Sequence, residues 1–352
     1  MSKFEKAKIY GVDNVGQSNT TLIRTDDAVG LTYTVGASEI QSDFDKCFPW
    51  SDITEVTDSA GNVFVRIPKF YSKVTKNSNG TYKYQISGTR YSGFNTLFVD
   101  GKGNELDYID VGKYEASGSS SRAYSKTGQT VLVNITIDNL RTACKANGAG
   151  YQQYDFLIDA ILKHLFLVEF ATTNSQSIMY GYALSSNTAA ITTGHSDDVK
   201  TPSGSPTSNT DGTYAMKYRG IENLWGNTWT FCDGISFSLE KVYVCTDPTQ
   251  YAGAKTTMPY SYMGNRPQVS EGYIKEITPF AKNPLLGYIS ALSGSQSTYY
   301  SDYSWYADGG VILLVGGTWT DGARAGLWFW HGRNTVSSSW SSDGGRLCYK
   351  PL

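Results

Sequence analysis

Hydrophobic and polar residues alternate in the first part of the chain. In the stretch GNVFVRIPKFYSKVTK, Val63, Val65 and Ile67 occupy every second position, which is the period of a half-buried β-strand. The turn-forming residues NSNG follow at 77–80, and TYKYQIS is then predicted as a second strand. The pattern therefore predicts a β-hairpin. A second hairpin is predicted where DGKG interrupts FNTLFVDGKGNELDYIDVGKY.

A helical period replaces this alternation in the middle of the chain. TIDNLRTACKANGAG predicts a short helix with Thr136 as its N-cap and Gly148 as its stop. The next stretch, QYDFLIDAILKHLFLVEF, predicts a longer helix, because its apolar residues recur at helical spacing. These residues are Leu157, Ile158, Ile161, Leu162, Leu165 and Val168. Glu169 closes the apolar run, so its carboxylate must be solvated, hydrogen-bonded or paired.

The pattern changes again towards the carboxyl terminus. Residues 185–213 contain almost no large apolar side chains, which predicts a long polar loop, either mobile or inserted at a rim. Short strands separated by Gly, Asn, Asp and Ser follow, and GGVILLVGGTW is predicted as a core strand. Together these segments predict an α+β fold with few helices and many short strands. We place a β-rich domain at 1–113 and a second domain at 114–352.

Composition narrows the classes of partner. Tyr (26) and Trp (8) are abundant while only 18% of residues are charged, a mixture that favours β-structure with aromatic recognition surfaces. The net charge of −2 and the lack of a Lys/Arg cluster argue against a nucleic-acid partner. No apolar run reaches the ~20 residues of a membrane span, and MSKFEKAKIYGVDN lacks a secretory signal. We therefore expect synthesis in the cytoplasm and no membrane insertion.

The residue types that carry enzyme chemistry are scattered. The odd number of cysteines, without a CxxC pair, predicts buried, reduced thiols in place of disulfides or a zinc site. The three histidines are equally dispersed, so we predict no metal and no cofactor. No G-x-S-x-G elbow, P-loop or H-E-x-x-H is present. Paired carboxylates for glycan cleavage stay open as an alternative, because their separation depends on the fold. The cysteines are Cys47, Cys144, Cys232, Cys245 and Cys348.

Five short motifs follow one another in a recognisable order. They are VGKYEAS at 111–117, FLVEFATTNSQSIMYG at 166–181, GIENLWGNTWTFCDG at 220–234, VGGTWTDGARAGLW at 315–328 and GGRLCY at 344–349. This order resembles the formylglycine-generating-enzyme type of C-type-lectin fold over about 240 residues. The resemblance implies that Gly226 and Asn227 shape the backbone, and that Trp229 and Phe231 are inward anchors. Thr230 stands where that family usually has Glu, and Phe231 where it has Trp.

The chain departs from that family at the reactive positions. The family's enzymes place their cysteines between the RGGSW-type strand and the closing strand. Here the interval after Trp319 contains no cysteine before Cys348, which lies inside the terminal strand motif. An oxidase that works through a thiolate cannot run without it. We therefore predict a non-enzymatic protein on an enzyme-like scaffold.

The same scaffold resembles the variable proteins of diversity-generating retroelements, known as phage tail-fibre tips that bind host-surface receptors. Their ligand face lies near the carboxyl terminus, where this chain reads LWFWHGRNTVSSSWSSDGGRLCY. The predicted ligand-facing residues are Trp328, Trp330, His331, Arg333, Asn334, Trp340, Ser341 and Asp343, with Tyr303 and Trp305 from an adjoining rim that also includes Tyr299, Tyr300 and Tyr306. Strand alternation leaves an alternative open, because Trp328 and Trp330 share one side of a strand and that side could face the core.

The amino-terminal part adds to this expectation. SNTTLIRTDDAVGLTY and FDKCFPWSDITEVTDSAGNVFVRIPKFYSK resemble tail and baseplate proteins of phages of Gram-positive hosts. The resemblance implies a virion protein that binds a host cell-surface glycan or protein, contacts other tail proteins and forms a homotrimer. The alternatives are a glycan-cleaving or oxidase enzyme on this scaffold, and a purely structural baseplate protein.

Overall fold

The computed structural model describes residues 3–351 and shows a β-rich fold with few helices, as the sequence predicted. Among these residues no helix has both the length and the apolar character needed to cross a bilayer. The α-helices are α1 (Lys3–Ala7), α2 (Ile137–Lys145) and α3 (Phe156–Phe170). Short 3-10 helices cover Asp43–Lys46, Trp50–Asp52, Ser175–Ser177, Pro248–Gln250 and Gly322–Arg324.

The strands are short and run along the whole described chain. The first group is β1 (Ile9–Val15), β2 (Ile23–Asp26), β3 (Tyr33–Val35), β4 (Glu39–Ser42), β5 (Thr54–Thr57), β6 (Val63–Pro68), β7 (Tyr71–Lys76), β8 (Tyr82–Ser87), β9 (Tyr108–Gly112), β10 (Ser117–Ser119), β11 (Arg122–Tyr124), β12 (Tyr151–Gln153) and β13 (Ser203–Gly204). The second group is β14 (Lys217–Tyr218), β15 (Ile221–Glu222), β16 (Trp229–Cys232), β17 (Ile235–Ser238), β18 (Lys241–Val244), β19 (Ser261–Asn265), β20 (Glu271–Phe280), β21 (Asn283–Leu292), β22 (Tyr303–Tyr306), β23 (Leu313–Gly316), β24 (Gly326–Gly332), β25 (Asp343–Gly344) and β26 (Leu347–Tyr349).

Both helices predicted from apolar periodicity are confirmed. The Thr136 side chain caps α2 by accepting a hydrogen bond from the Asn139 amide, which satisfies one of the free N–H groups at a helix start. Asp155 caps α3 in the same way through Ile158. All residues of α3 are buried, so this helix forms the centre of the core.

The first predicted hairpin is confirmed, but its incoming strand is shorter than the alternation indicated. β7 and β8 pair in antiparallel register around the 77–80 turn. β6, earlier in the same alternating stretch, pairs with β5 and β9 in another sheet. At the DGKG turn, the Asp100 carboxylate accepts hydrogen bonds from the Lys102 and Asn104 amides, as turn chemistry requires.

Within residues 3–351, the strands form six sheets. The seven-stranded sheet has the order β21-β20-β22-β24-β23-β16-β25, and it positions the candidate site described below. The others are β2-β1-β8-β7, β12-β26-β9-β6-β5, β15-β14-β13-β4-β3, β17-β18-β19 and β10-β11.

Two of these sheets cross the predicted boundary between residues 113 and 114. β9 pairs with β26 from the carboxyl terminus, and β4 pairs with β13. One buried cluster also joins Tyr10 and Trp50 to Phe166 and Trp225. Residues 1–113 and residues 114–351 therefore share sheets and a buried hydrophobic cluster. Periodicity records local structure and carries no information on pairing between distant strands.

The polar segment 185–213 is tied to the rest of the fold. It contributes β13, and the Asn209 side chain donates hydrogen bonds to the carbonyls of Gly36 and Ala37. Ser196 donates to the buried Glu222 carboxylate through both its amide and its hydroxyl. Polar composition here reflects hydrogen bonding to neighbouring segments, a role that a polar pattern alone cannot distinguish from a loose loop.

Glu169 is buried and paired, one of the outcomes that its position required. The Arg219 guanidinium donates to both carboxylate oxygens of Glu169, and the Tyr218 hydroxyl donates at 3.1 Å. Arg219 also contacts Asp45 at 2.6 Å. This ion pair links the end of α3 to β14 and to the amino-terminal part of the chain.

Replacing Arg219 by Met should destabilise the protein strongly, because the Glu169 carboxylate would stay buried without its cation. We expect a loss of about 3–5 kcal/mol in the free energy of unfolding, measured by urea denaturation. The matched control is Arg90→Met, which removes the exposed pair with Glu105 and should cost less than about 1 kcal/mol. Equal losses in the two variants would contradict the assignment.

Candidate functional site

A buried carboxylate joins the first motif to the third. Glu115 of VGKYEAS is 1% exposed. It accepts hydrogen bonds from the side-chain amides of Asn223 and Asn227 and from the amide and hydroxyl of Thr228. Burial raises the pKa of Glu115 above its ordinary value. The GNTW segment is therefore held against the end of β9.

Arg346 joins the closing motif to the same place. It is 1% exposed, and its guanidinium donates to the carbonyls of Gly112, Lys113, Glu222 and Asn223. Burial lowers the pKa of Arg346, while the nearby Glu115 opposes that shift. Three motifs far apart in sequence thus meet at one buried polar centre.

The GNTW backbone has the shape that the resemblance implied. Gly226 and Asn227 have φ of 79° and 61°, and a Cβ on Gly226 would lie 2.7 Å from the Tyr182 carbonyl oxygen. Phe231 is fully buried, which confirms it as an inward anchor. Trp229 is only half-buried, so this residue lies at the border between core and surface.

Trp328 and Trp330 are core residues, which corrects their prediction as ligand-facing. They are 4% and 2% exposed. The Trp330 ring packs edge-on against Phe156 of α3 at 5.9 Å between ring centroids, and Lys163 lies over Trp328. Alternation along β24 correctly puts both on one side, but the sequence does not say that α3 covers that side.

The opposite side of β24 forms part of an open aromatic surface. The His331 ring stacks on Trp229 at 4.2 Å with an interplanar angle of 17°. Trp305 lies 5.2 Å from Phe329 and 5.9 Å from His331 between centroids. Tyr303 continues the row beside Trp305 at 4.9 Å.

Tyr273 of β20 ends this row, 4.9 Å from Tyr303 between centroids. Phe329 and His331 are buried and form the floor, while the other rings are partly exposed. The rings on β20, β22 and β24 come from neighbouring strands of the seven-stranded sheet, so strand pairing sets their spacing. Trp229 comes from β16, which is separated from β24 by β23. We call this surface the aromatic face; it consists of Trp229, Tyr273, Tyr303, Trp305, Phe329 and His331.

Polar groups at the aromatic face fix its geometry. The Trp229 indole N–H donates to the Asp321 carboxyl at 3.0 Å, and the Thr318 amide donates to the same oxygen at 2.7 Å. Burial raises the pKa of Asp321. Arg324 is exposed, and its guanidinium carbon lies over the rings of Tyr303 and Trp305 at 5.1 and 5.7 Å.

His331 acts as an aromatic surface and not as an acid or base. Burial lowers the pKa of His331 to about 4, so the imidazole is neutral at physiological pH. Its Nδ1 has no hydrogen-bond partner within the described chain. His331 is 7% exposed, which corrects its prediction as a ligand-facing residue. Its stacking on Trp229 accounts for the burial.

Asn334 and Asp343 are also structural, which corrects their predicted role. Both are buried, and the Asn334 side-chain amide donates to the Asp343 carboxylate at 2.7 Å. Burial raises the pKa of Asp343 to about 6. The rim residues Tyr300 and Tyr306 are buried as well. Polar residues in a short loop are exposed only on average. Here the hydrogen bond between Asn334 and Asp343 lies inside the loop and joins its two ends.

The remaining predicted residues are accessible. Trp340 is 61% exposed, Ser341 is exposed, and Arg333 pairs with Glu271 at the surface. The loop that carries them adjoins the aromatic face, because the Trp229 amide donates to the Ser342 carbonyl at 2.9 Å. Tyr303 and Trp305 lie in the face itself.

Sequence reasoning missed rings of this surface and the cation that lies over it. Tyr273 and Arg324 were not singled out, and Trp229 was assigned to the core. Tyr273 pairs with Tyr303 across neighbouring strands, and a strand register of this kind is not visible in a single sequence. Arg324 lies in the VGGTWTDGARAGLW motif, where an Arg between two aromatic strands was the available signal.

Burial raises the pKa of all five cysteine thiols. All five cysteines are free and buried, as predicted. Burial raises the pKa of Cys348 to about 12 and that of Cys232 well above its ordinary value. The thiolate is the reactive form. Among residues 3–351, no three His, Cys, Asp or Glu side chains are grouped to hold a metal ion.

These elements define a β-rich protein with an aromatic face on its largest sheet. No family model matches the chain, and no curated protein matches it. Among solved structures, it is similar to the Major Tropism Determinant M1 variant, at a TM-score of 0.35 and 12% identity, over 98% of this chain and 72% of that chain. The U1 variant gives a TM-score of 0.31 and 13% identity over the same shares.

The cysteines should resist modification in the folded protein. We expect Ellman's reagent at pH 8 to leave all five unreacted in native protein and to label all five after unfolding in urea, because burial keeps the thiols protonated and covered. Mass spectrometry would assign any labelled site. Rapid labelling of Cys348 in the native state would show that a reactive thiol exists on this scaffold.

Asp343 should make folding stability depend on pH. Its pKa rises from about 3.9 unfolded to about 6 folded, so its contribution is full below pH 4 and is lost as the pH rises through 6. The Asp343→Asn variant lacks this titration. We expect the free energy of unfolding of the native protein to fall relative to the variant, by at most about 3 kcal/mol between pH 4 and 7. A constant difference across that range would contradict the shift.

Proposed function

We propose that this chain is a receptor-binding protein of a phage tail-fibre tip, which adheres to a glycan or protein of the host bacterial surface without catalysis. The observation that carries the proposal is the aromatic face, where partly exposed Trp and Tyr rings lie side by side on a sheet. The accessible loop residues Arg333, Trp340 and Ser341 border it. This surface combines aromatic anchors with polar groups, as binding surfaces do.

The physics of the aromatic face favours binding. Trp and Tyr offer a large contact area with few rotatable bonds, so little entropy is lost when a ligand orders them. Trp229 is held by its indole hydrogen bond to Asp321, and Trp305 is packed against Phe329. A surface that is already ordered before binding avoids part of the cost of association.

The wider assignment combines the motifs with the buried polar centre. Glu115 and Arg346 bring the first, third and last motifs together, which supports a lectin-type scaffold of the formylglycine-generating-enzyme kind. We further propose that residues 1–113 contribute to attachment to other tail or baseplate proteins and that the protein acts as a homotrimer in the virion. Several weak sites would then add up through multivalency.

An oxidase function is not supported by the state of the thiols. Cys348 is fully buried and its raised pKa keeps it protonated. The imidazole of the aromatic face is also unsuited to proton transfer at neutral pH, since His331 has a pKa of about 4. General acid–base catalysis needs a pKa near the working pH.

Replacing Trp305 by Ala should weaken adhesion. We expect at least about tenfold lower affinity of fluorescently labelled protein for host cells, because a central aromatic anchor would be removed. Trp340→Ala should have a smaller effect in the same direction, as this side chain borders the face. Cell binding is measured by flow cytometry, and circular dichroism checks that each variant folds.

The control for this experiment is Phe4→Ala, which removes an exposed aromatic residue on α1 (73% exposed). Its binding should equal that of the native protein. Unchanged binding by folded Trp305→Ala and Trp340→Ala proteins would remove the aromatic face from the adhesion surface and favour a purely structural baseplate role. Cleavage products from host cell-wall glycans would overturn the non-catalytic proposal.

A further inference from the structure

Arg324 is the feature of the aromatic face that an uncharged ligand would leave unused. Its side chain is exposed, and the guanidinium lies over Tyr303 and Trp305. Within residues 3–351 it takes part in no salt bridge, whereas the neighbouring Arg333 pairs with Glu271 at 2.6 Å. The aromatic face therefore carries a positive charge without a carboxylate partner.

The position of Arg324 is fixed by its own turn. The Arg324 amide donates to the Asp321 carbonyl at 3.1 Å, and the Gly322 amide donates to the Ala183 carbonyl at 2.6 Å. The Asp321 carboxyl is held in turn by Thr318 and Trp229. The guanidinium carbon lies 5.1 and 5.7 Å from the ring centroids of Tyr303 and Trp305, a cation–π geometry on an exposed side chain with five N–H donors. Arg324 is thus placed in advance for an acceptor outside the protein.

The carboxyl groups in the segments that form this surface have partners other than Arg324. Glu271 pairs with Arg333 at 2.6 Å. The Asp321 carboxyl accepts hydrogen bonds from Trp229 and Thr318, and the buried Asp302 carboxyl accepts one from the Trp328 amide at 2.7 Å. The Arg324 guanidinium therefore keeps its charge available at the surface.

We propose that the ligand of the aromatic face is an anionic glycan, whose sugar rings stack on Trp305 and Tyr303 and whose carboxylate or phosphate group binds the Arg324 guanidinium. This inference rests on the proposed function and names its ligand class. The guanidinium fork matches either anion through paired N–H donors. The two anions share this chemistry and are separated by the experiment.

The shape of the aromatic face favours a glycan over a protein. The partly exposed rings of Tyr273, Tyr303 and Trp305 follow one another across the sheet, with 4.9 Å between neighbouring centroids. Their planes are tilted by 89° and 58°, so ring edges and ring faces alternate along an open row. Protein interfaces concentrate their affinity in anchors that fill pockets, whereas an open row of Trp and Tyr rings suits the apolar sides of sugar rings.

The experiment measures affinity for three soluble probes by isothermal titration calorimetry with the full chain. The probes are an oligogalacturonate, which carries carboxylates, a sugar-phosphate polymer and a neutral oligosaccharide of similar length. We expect the native protein to bind at least one anionic probe more tightly than the neutral one, and more weakly as salt rises. Arg324→Gln should lose at least about tenfold of that affinity, and Arg324→Lys should keep part of it.

Lys282→Gln is the matched control, because it removes one exposed positive charge in the β20–β21 turn, about ten strand positions from Tyr273. It should bind as the native protein does. The inference is overturned if Arg324→Gln binds the anionic probes as well as Lys282→Gln, if the neutral probe binds equally well, or if neither anionic probe binds.

The failure of this inference is distinguishable from failure of the proposed function. If Trp305→Ala abolishes adhesion to host cells while Arg324→Gln does not change it, the face is an adhesion surface for an uncharged ligand. If neither variant changes adhesion, the aromatic face has no role in it and both proposals fail. Preferential binding of one anionic probe identifies carboxylate or phosphate as the recognised group.

Discussion

The buried polar centre of Glu115 and Arg346 is the constraint on which the site depends. Removing a carboxylate and a guanidinium from water is costly unless their hydrogen bonds are replaced. Glu115 is satisfied by Asn223, Asn227 and Thr228, and Arg346 by four backbone carbonyls. These bonds form only if the GNTW backbone bends, and that bend sets the start of β16. The hydrogen bonds of Glu115 and Arg346 therefore position Trp229, the first residue of β16, although the Trp229 side chain takes no part in them.

The seven-stranded sheet converts this placement into a surface. Successive side chains of β24 point to opposite sides of the sheet. Trp328 and Trp330 therefore pack against α3, whereas Phe329 and His331 lie on the other side. Rings from other strands of the same sheet then pack against Phe329 and His331. The result is an ordered row of aromatic side chains that are half-buried without a covering layer. Core packing on one side of β24 thus holds the exposed rings in place on the other.

The sequence predicted those features that depend on neighbouring residues. The Thr136 cap of α2, the helix α3 and the turn at 77–80 all follow from local chemistry. Features that depend on distant pairing were missed or wrong. Alternation predicted that Trp328 and Trp330 share one side of a strand, but not that α3 covers that side. The change of pattern after residue 113 gave no sign of the strand pairs that join residues before and after this point. Arg324 and Tyr273 join the site only through the fold.

The loop of residues 333–342 shows how such a site tolerates sequence change at its border. Its ends are fixed from within, because Asn334 binds Asp343 and the Ser342 carbonyl accepts from the Trp229 amide. Its outward side chains, such as Trp340 and Ser341, contribute little to the core. Substitution of these exposed residues costs little stability, whereas the aromatic face beneath depends on packing. The exposed positions of the loop can therefore change while the aromatic face and its buried charges stay the same.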